Sequence, residues 1–185
     1  MSTVFLAGSI SLRQLHEKMQ ARIASVVSRD YNIVVGDAEG ADTAIQHCLQ
    51  RLHARKVTMY CSGMSPRNNL NGWPLYPLAT AACPYSREYF TAKDLEMARR
   101  SDYGLMVWDC QSTGTLGNIF ELLKRRSPTV VFLNRQQEFY TVAGEDGLKG
   151  LLNLMEKGAR MKAETKMGLA LKMKGLHQEE LQLTR

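Results

Sequence analysis

The chain has 185 residues, a mass of 20.8 kDa, 44% hydrophobic residues and a formal net charge of +6. That length suits one domain with a substantial buried core, and no apolar run approaches the roughly 18 residues needed to cross a bilayer. Of the 24 Lys and Arg residues, seven fall from Lys157 onward beside three of the 18 acids, which leaves 17 and 15 before it, so nucleic acid is not expected as a partner.

In chain order, the first apolar run is "TVFLAG" (3–8), ending in Gly8-Ser9. No basic region precedes it, so neither an export signal nor a membrane contact is expected and the location expected is cytoplasmic. A helical segment from Leu12 to Ser28 follows, then a second apolar run, "NIVVGD" (32–37). From Ala41 to Ala54, Ala44, Ile45, Cys48, Leu49 and Leu52 recur at three- and four-residue intervals, which predicts a helix with one apolar face. "KVTMYC" (56–61) is a weaker strand.

Residues 61–90 hold four of the five prolines and show no clear period, which predicts a long functional loop. A helix from Thr91 to Arg100, the strand "YGLMVWD" (103–109), a helix from Leu116 to Arg126 and the strand "TVVFLN" (129–134) complete the alternation. Continuous β-branched runs of this kind are buried on both faces of a parallel sheet. The fold class expected is therefore α/β, a doubly wound, mostly parallel sheet with helices on both faces.

Leu148, Leu151, Leu152 and Met155 form one more helical stripe, and the Met-, Leu- and Lys-bearing stretch after Met161 reads as an amphipathic helix. The division expected is a ligand-binding domain over 1–157 and a basic helical tail over 158–185. A tail with an apolar side suggests a homodimer or higher oligomer. Cys48, Cys61, Cys83 and Cys110 are unevenly spaced with no CxxC pair, so reduced thiols and no metal site are expected.

In an open parallel sheet, ligands sit beyond the carboxyl ends of the strands. Three junctions there carry suitable residues: Gly8-Ser9, the stretch Gly36-Asp37-Ala38-Glu39-Gly40-Ala41-Asp42, and Ser112-Thr113-Gly114-Thr115. Glycine lets backbone amides approach an anion, and a helix N-terminus supplies free N–H groups. The convergence points to a phosphate-bearing ligand. Asp37 suits a ribose hydroxyl, the loop amides or a metal, while Asp42 reads as a complement to its helix dipole. Neither GxGxxG nor GxxxxGK followed by Ser or Thr occurs, so conventional dinucleotide binding and P-loop hydrolysis are unsupported.

"GDAEGAD" (36–42) after a strand, then "SDYGLMVWD" (101–109) and "STGT" (112–115), resembles the SLOG superfamily, a Rossmann-like group of DNA-processing proteins, LOG phosphoribohydrolases and small YspA-like proteins. The glycine-alanine-acid loop is most similar to the YspA-like branch, and the resemblance runs from about Val4 to Leu133. It implies a nucleotide-binding domain with Gly8, Ser9, Gly36, Asp37, Gly114 and Thr115 at the ligand. LOG enzymes carry a glutamate within the turn after their glycine-threonine pair. Here that turn is Leu116-Gly117-Asn118, and Asn118 also stands where the related deoxyribosyltransferases place a glutamate nucleophile. An amide cannot serve as nucleophile or base at neutral pH.

Arg67 and Asn68, with Asn69, suit phosphate or base-edge recognition. Trp73, Tyr85, Tyr89 and Phe90 read as anchors of their loop, with stacking on a base as the alternative, and Arg87 and Lys93 as helpers of charge. The site expected comprises Gly8, Ser9, Gly36, Asp37, Gly40, Arg67, Asn68, Asp109, Ser112, Thr113, Gly114, Thr115 and Asn118, with no cofactor and no metal. The function expected is binding of a nucleotide or nucleotide-derived small molecule. One alternative is an N-glycosidic or phosphodiester hydrolase working through Asp37 or Asp109, and a second is a nucleic-acid-binding module.

Overall fold

The structure is a computed structural model that describes the backbone of residues 1–183 and the side chains of 1–178. Seven strands form one sheet: β1 (Thr3–Gly8), β2 (Asn32–Gly36), β3 (Val57–Ser62), β4 (Leu75–Leu78), β5 (Tyr103–Trp108), β6 (Thr129–Leu133) and β7 (Glu138–Val142), in the order β4-β3-β2-β1-β5-β6-β7. Only β7 is antiparallel, paired with β6 after a tight turn in which Gln137 takes φ 57°.

The strands are buried on both faces, and alternate residues feed two cores. Val4 and Leu6 of β1 pack with helices α1 (Glu17–Ser28) and α2 (Ala41–Arg51), through Met19, Ile23, Ile45 and Leu49. Phe5 and Ala7 point the other way, into a core shared with α3 (Arg87–Arg99), α4 (Thr113–Lys124), α5 (Glu145–Asn153), α6 (Lys157–Met167) and α7 (Leu169–Leu183). The expected α/β sheet with helices on both faces is therefore present. Because right-handed crossovers first build outward from β1 toward β3 and then from β5 toward β6, the switch point lies between β1 and β5.

Two strands escaped the sequence reading, both at sheet edges. β4 lies inside the expected loop 61–90 and carries Pro77, which is tolerated where one side of the strand has no ladder. β7 is half exposed and so lacks the continuous apolar run of the inner strands. Helix α3 starts earlier than expected, at Arg87, because Ser86 Oγ caps it by accepting from the Tyr89 N–H at 3.1 Å. Helix α1 starts later, at Glu17, with His16 as its cap.

The expected tail is two helices broken at Gly168, whose φ of 61° ends α6 in the left-handed conformation. Ala159 and Ala163 of α6 and Leu169 and Leu176 of α7 are buried in the second core. Thr184 and Arg185, the last residues of that tail, lie outside the described residues. Among the described residues, no helix is long and apolar enough to cross a membrane.

The end of β1 is the tightest point of the fold. A Cβ at Gly8 would lie 2.6 Å from the Val107 carbonyl oxygen and 2.7 Å from Ala41 Cβ, so β1, β5 and the start of α2 approach closely only because that atom is missing. Gly8→Ala is expected to destabilise the protein by about 1–3 kcal/mol, the usual cost of overpacking. Urea unfolding would show a lower midpoint, and an unchanged midpoint would mean that the backbone relaxes freely there.

Candidate functional site

A cleft of about 670 Å³ opens at the carboxyl ends of β1, β2 and β5, where the switch-point rule places a ligand. Of the residues expected at the ligand, Gly8, Asp109, Ser112, Thr113, Gly114, Thr115 and Asn118 line it. So do residues the sequence reading left out or made marginal: Asp42 of α2, Arg87, Phe90, Lys93 and Asp94 of α3, and Lys162 and Lys166 of α6. A mostly apolar groove of similar size between α5, α6 and α7 lies away from the strand ends.

One wall is the N-terminus of α4. Ser112 caps it, its Oγ accepting from the Thr115 N–H at 3.4 Å. The N–H groups of Thr113 and Gly114 have no acceptor among the described residues. Those two amides and the positive end of the helix dipole make a place for an anion. The side chain of Asn118, one turn in, forms no hydrogen bond with the described residues although only 8% of the residue is exposed.

The cap loop is held by Asp109. Its carboxylate accepts from Ser9 Oγ at 3.0 Å, Ser11 Oγ at 2.6 Å, Gln111 N–H at 2.9 Å and Ser112 N–H at 2.7 Å. Burial opposes its ionisation, but the bonds from Ser11, Gln111, Ser112 and Ser9 outweigh burial and hold the carboxyl below its usual range. Ser9 is fully buried and also accepts from the Asp109 N–H at 3.1 Å, so it ties β1 to β5 beneath the cleft.

The acidic loop after β2 is likewise internal. Asp37 receives the Arg67 backbone N–H at 2.9 Å and the guanidinium at 2.8 Å, with Lys93 Nζ at 3.9 Å. Burial again works against the charge, and the Arg67 hydrogen bonds followed by the Lys93 charge win, so the Asp37 carboxyl is held below its usual range. Asn68 donates to the carbonyls of Asp37 and Ala38 at 2.7 and 3.2 Å and accepts from Gln46. Gly40 turns at φ 73° against the Ile10 backbone. Asp37, Gly36, Gly40, Arg67 and Asn68 thus lie behind the cleft wall, where they brace the loop.

Gly36 shows what the bracing surrounds. A Cβ there would lie 2.5 Å from Asp42 Oδ2 and 2.7 Å from Lys93 Nζ, two buried groups that fold over the glycine. Lys93 pairs with Asp94 at 2.6 Å and, against the cost of burial, the Asp94 and Asp42 charges keep it protonated. Asp42 accepts from the Ala38 N–H at 3.3 Å. Its carboxyl is pushed up to about 6, mainly by burial, with Lys93 offsetting part of the rise and Asp94 adding to it. Three carboxylates, Asp37, Asp42 and Asp94, thus face two cations, Arg67 and Lys93, which leaves one excess negative charge when Asp42 is ionised.

Above this floor the rim is basic. Arg87 donates to the Lys166 carbonyl at 2.6 Å, and Arg87, Lys162 and Lys166 have no carboxylate partner among the described residues. Beside them, Tyr85 is 84% exposed with its ring 6.3 Å from that of Phe90, over which Arg67 also sits at 4.5 Å. Trp73, by contrast, is buried and donates to the Ala54 carbonyl at 3.1 Å, an anchor as expected. No group of three His, Cys, Asp or Glu side chains among the described residues is placed to hold a metal.

No protein-family model and no curated protein sequence matches the chain. Among solved structures, DNA processing protein A from Helicobacter pylori is similar, with a TM-score of 0.52, 18% identity, 85% of this chain covered and 74% of that one. At that identity the likeness speaks for the fold, a fold found in one of the protein groups that the sequence motifs resemble. The structure of that protein concerns its single-stranded DNA binding mode. The expectation that nucleic acid is not a partner is therefore corrected. It rested on assigning the positive surplus to the tail, away from the ligand site, whereas Lys162 and Lys166 of that segment line the cleft.

The raised carboxyl has a measurable signature. A group whose folded value lies above its unfolded value binds its proton more tightly when folded, so stability is highest below the unfolded value near 3.8 and falls as pH rises toward 6. Two units correspond to about 3 kcal/mol at most. Asp42→Asn should gain stability relative to the native chain between pH 4 and 7 and level off above that. A difference that stays flat across denaturant titrations in this range would show that Asp42 titrates normally.

Proposed function

We propose that this protein binds single-stranded nucleic acid, with a backbone phosphate at the N-terminus of α4 and the rings of Tyr85 and Phe90 offered to neighbouring bases. The observation that carries this reading is the convergence on one cleft of two free backbone amides, at Thr113 and Gly114, with three cations that lack carboxylate partners, Arg87, Lys162 and Lys166. A basic groove beside aromatic rings is how single strands are held without sequence readout, and here Tyr85 is exposed while Phe90 is partly buried with Arg67 over its ring. The likeness in fold to DNA processing protein A supports the same class of ligand.

A second reading, binding of a nucleotide-derived small molecule, is favoured by the free Asn118 amide beside the α4 amides, which suits a sugar hydroxyl next to a bound phosphate. The glycine-alanine-acid loop at 36–42 supports kinship with the YspA-like branch. Turnover through Asp37 or Asp109 is not part of either reading. Both carboxylates are ionised acceptors already engaged by Arg67 or by the Ser9, Ser11 and Ser112 set, and so poorly placed to take a proton.

Fluorescence anisotropy with a labelled oligothymidylate between 50 and 200 mM salt tests the first reading. Each lysine contact to a single strand adds about 0.7 to the slope of log affinity against log salt. Lys162→Ala with Lys166→Ala should therefore flatten the slope by roughly 1.4, and Tyr85→Ala should weaken binding by about 1–3 kcal/mol at every salt concentration. Oligonucleotide affinity that ignores both changes would move the function to the small-molecule reading.

A further inference from the structure

The cleft does not end at Gly114. A smaller cavity of about 320 Å³ continues from it between α3 and α4, and the two share Arg87, Thr91, Asp94, Thr113, Gly114, Asn118 and Lys166. Beyond that shared saddle the smaller cavity has its own walls: Leu95 on α3, Met167 at the end of α6, and Glu121 and Lys172 on α4 and α7. Leu95 and Met167 offer apolar contact. Glu121 is fixed there by Lys124 at 3.2 Å and Lys172 at 3.3 Å.

Two features mark this space as more than a gap between helices. Apart from its chain neighbours and the nearby backbone of its own helix, no described atom lies within 4 Å of where a Gly117 Cβ would stand, and at Gly114 the nearest is Ser112 Oγ at 3.9 Å, so the α4 backbone lies bare along the path joining the cavities. Asn118, more than nine-tenths buried and without a hydrogen-bond partner, lines both. Among the described residues no buried side-chain nitrogen or oxygen lacks a partner, so the Asn118 amide atoms open into these cavities, where a ligand can supply the bond that the protein does not.

We propose that the smaller cavity is a second nucleotide subsite, so that the cleft takes a phosphodiester-linked dinucleotide unit of a single strand. This rests on the nucleic-acid reading above and deepens it. The linking phosphate lies at the saddle, where Arg87 and Lys166 face it, the Asn118 amide donates to it, and the Asp94 carboxylate of the same saddle is paired with Lys93. One nucleoside lies over the β1 and β5 ends. The next enters the smaller cavity with its base between Leu95 and Met167 and over the open face of Gly117. The two helical glycines are there to let the strand pass close to α4.

The test compares thymidine monophosphate, the 5′-phosphorylated thymidine dinucleotide and a tetrathymidylate by calorimetry on the full chain. The dinucleotide is expected to bind at least roughly tenfold tighter than the mononucleotide, within the range that one additional stacked base supplies. Gly117→Leu fills the second cavity while raising helix propensity, so it should fold normally. It should bring the dinucleotide down to the affinity of the mononucleotide and leave the mononucleotide unchanged. Equal affinities for the two in the native chain, or a dinucleotide advantage that survives Gly117→Leu, would overturn the subsite while leaving strand binding in place. Failure of all three ligands to bind would overturn the nucleic-acid reading and the subsite together.

Discussion

The Asp109 carboxylate is the point on which the cleft depends. It sits at the end of β5 and takes hydrogen bonds from the β1 side, through Ser9 and Ser11, and from its own side, through Gln111 and Ser112. One ionised group thereby fixes how the two strands at the switch point present their loops. Because Ser112 is both a donor to Asp109 and the cap of α4, the direction of that helix and the aim of its free amides follow from the same interaction. The absence of a side chain at Gly8 lets the β1 end come near enough for the arrangement to close.

Beneath the neighbouring loop lies a different economy of charge. A lysine as buried as Lys93 is stable only when carboxylates surround it, and Asp94, Asp37 and Asp42 do so. Arg67 secures Asp37 from the far side and lies over Phe90, so the loop after β3 is drawn down onto the loop after β2. The result is a rigid anionic floor under a basic rim. An anionic ligand is accordingly pushed toward the helix N-terminus and the rim, while hydrogen-bond donors such as sugar hydroxyls suit the floor.

How much of this was legible beforehand depends on whether a signal is local. The inner strands announced themselves because burial on both faces demands unbroken runs such as Phe5-Leu6-Ala7 and Met106-Val107-Trp108, and the α4 cradle was readable because Ser112 to Thr115 precede an apolar helix. The edge strands β4 and β7 carry no such run. Asp37 and Arg67 were singled out as ligand contacts, yet the structure turns each toward the other, a pairing between residues 30 apart in the chain that no spacing rule exposes. Lys93 was read only as a helper of charge, because nothing in its own helix shows the Asp37 and Asp42 carboxylates that the fold brings around it. Lys162 and Lys166 belonged to a segment whose composition said only that it was basic and helical.

The placement of α6 also bears on the order in which the molecule is completed as it is made. The seven strands are all specified by residue 142, but Phe120, Leu123, Leu151 and Leu152 of the second core stay uncovered until Ala159, Ala163, Leu169 and Leu176 are available to pack against them. During synthesis at roughly 5–20 residues per second, the sheet and its first core can therefore form while the second core is still open to water. The cleft gains its last wall in the same late step, since Lys162 and Lys166 arrive with α6. A nascent chain would accordingly have its α4–α5 face open to water before it had the complete surface for an anion.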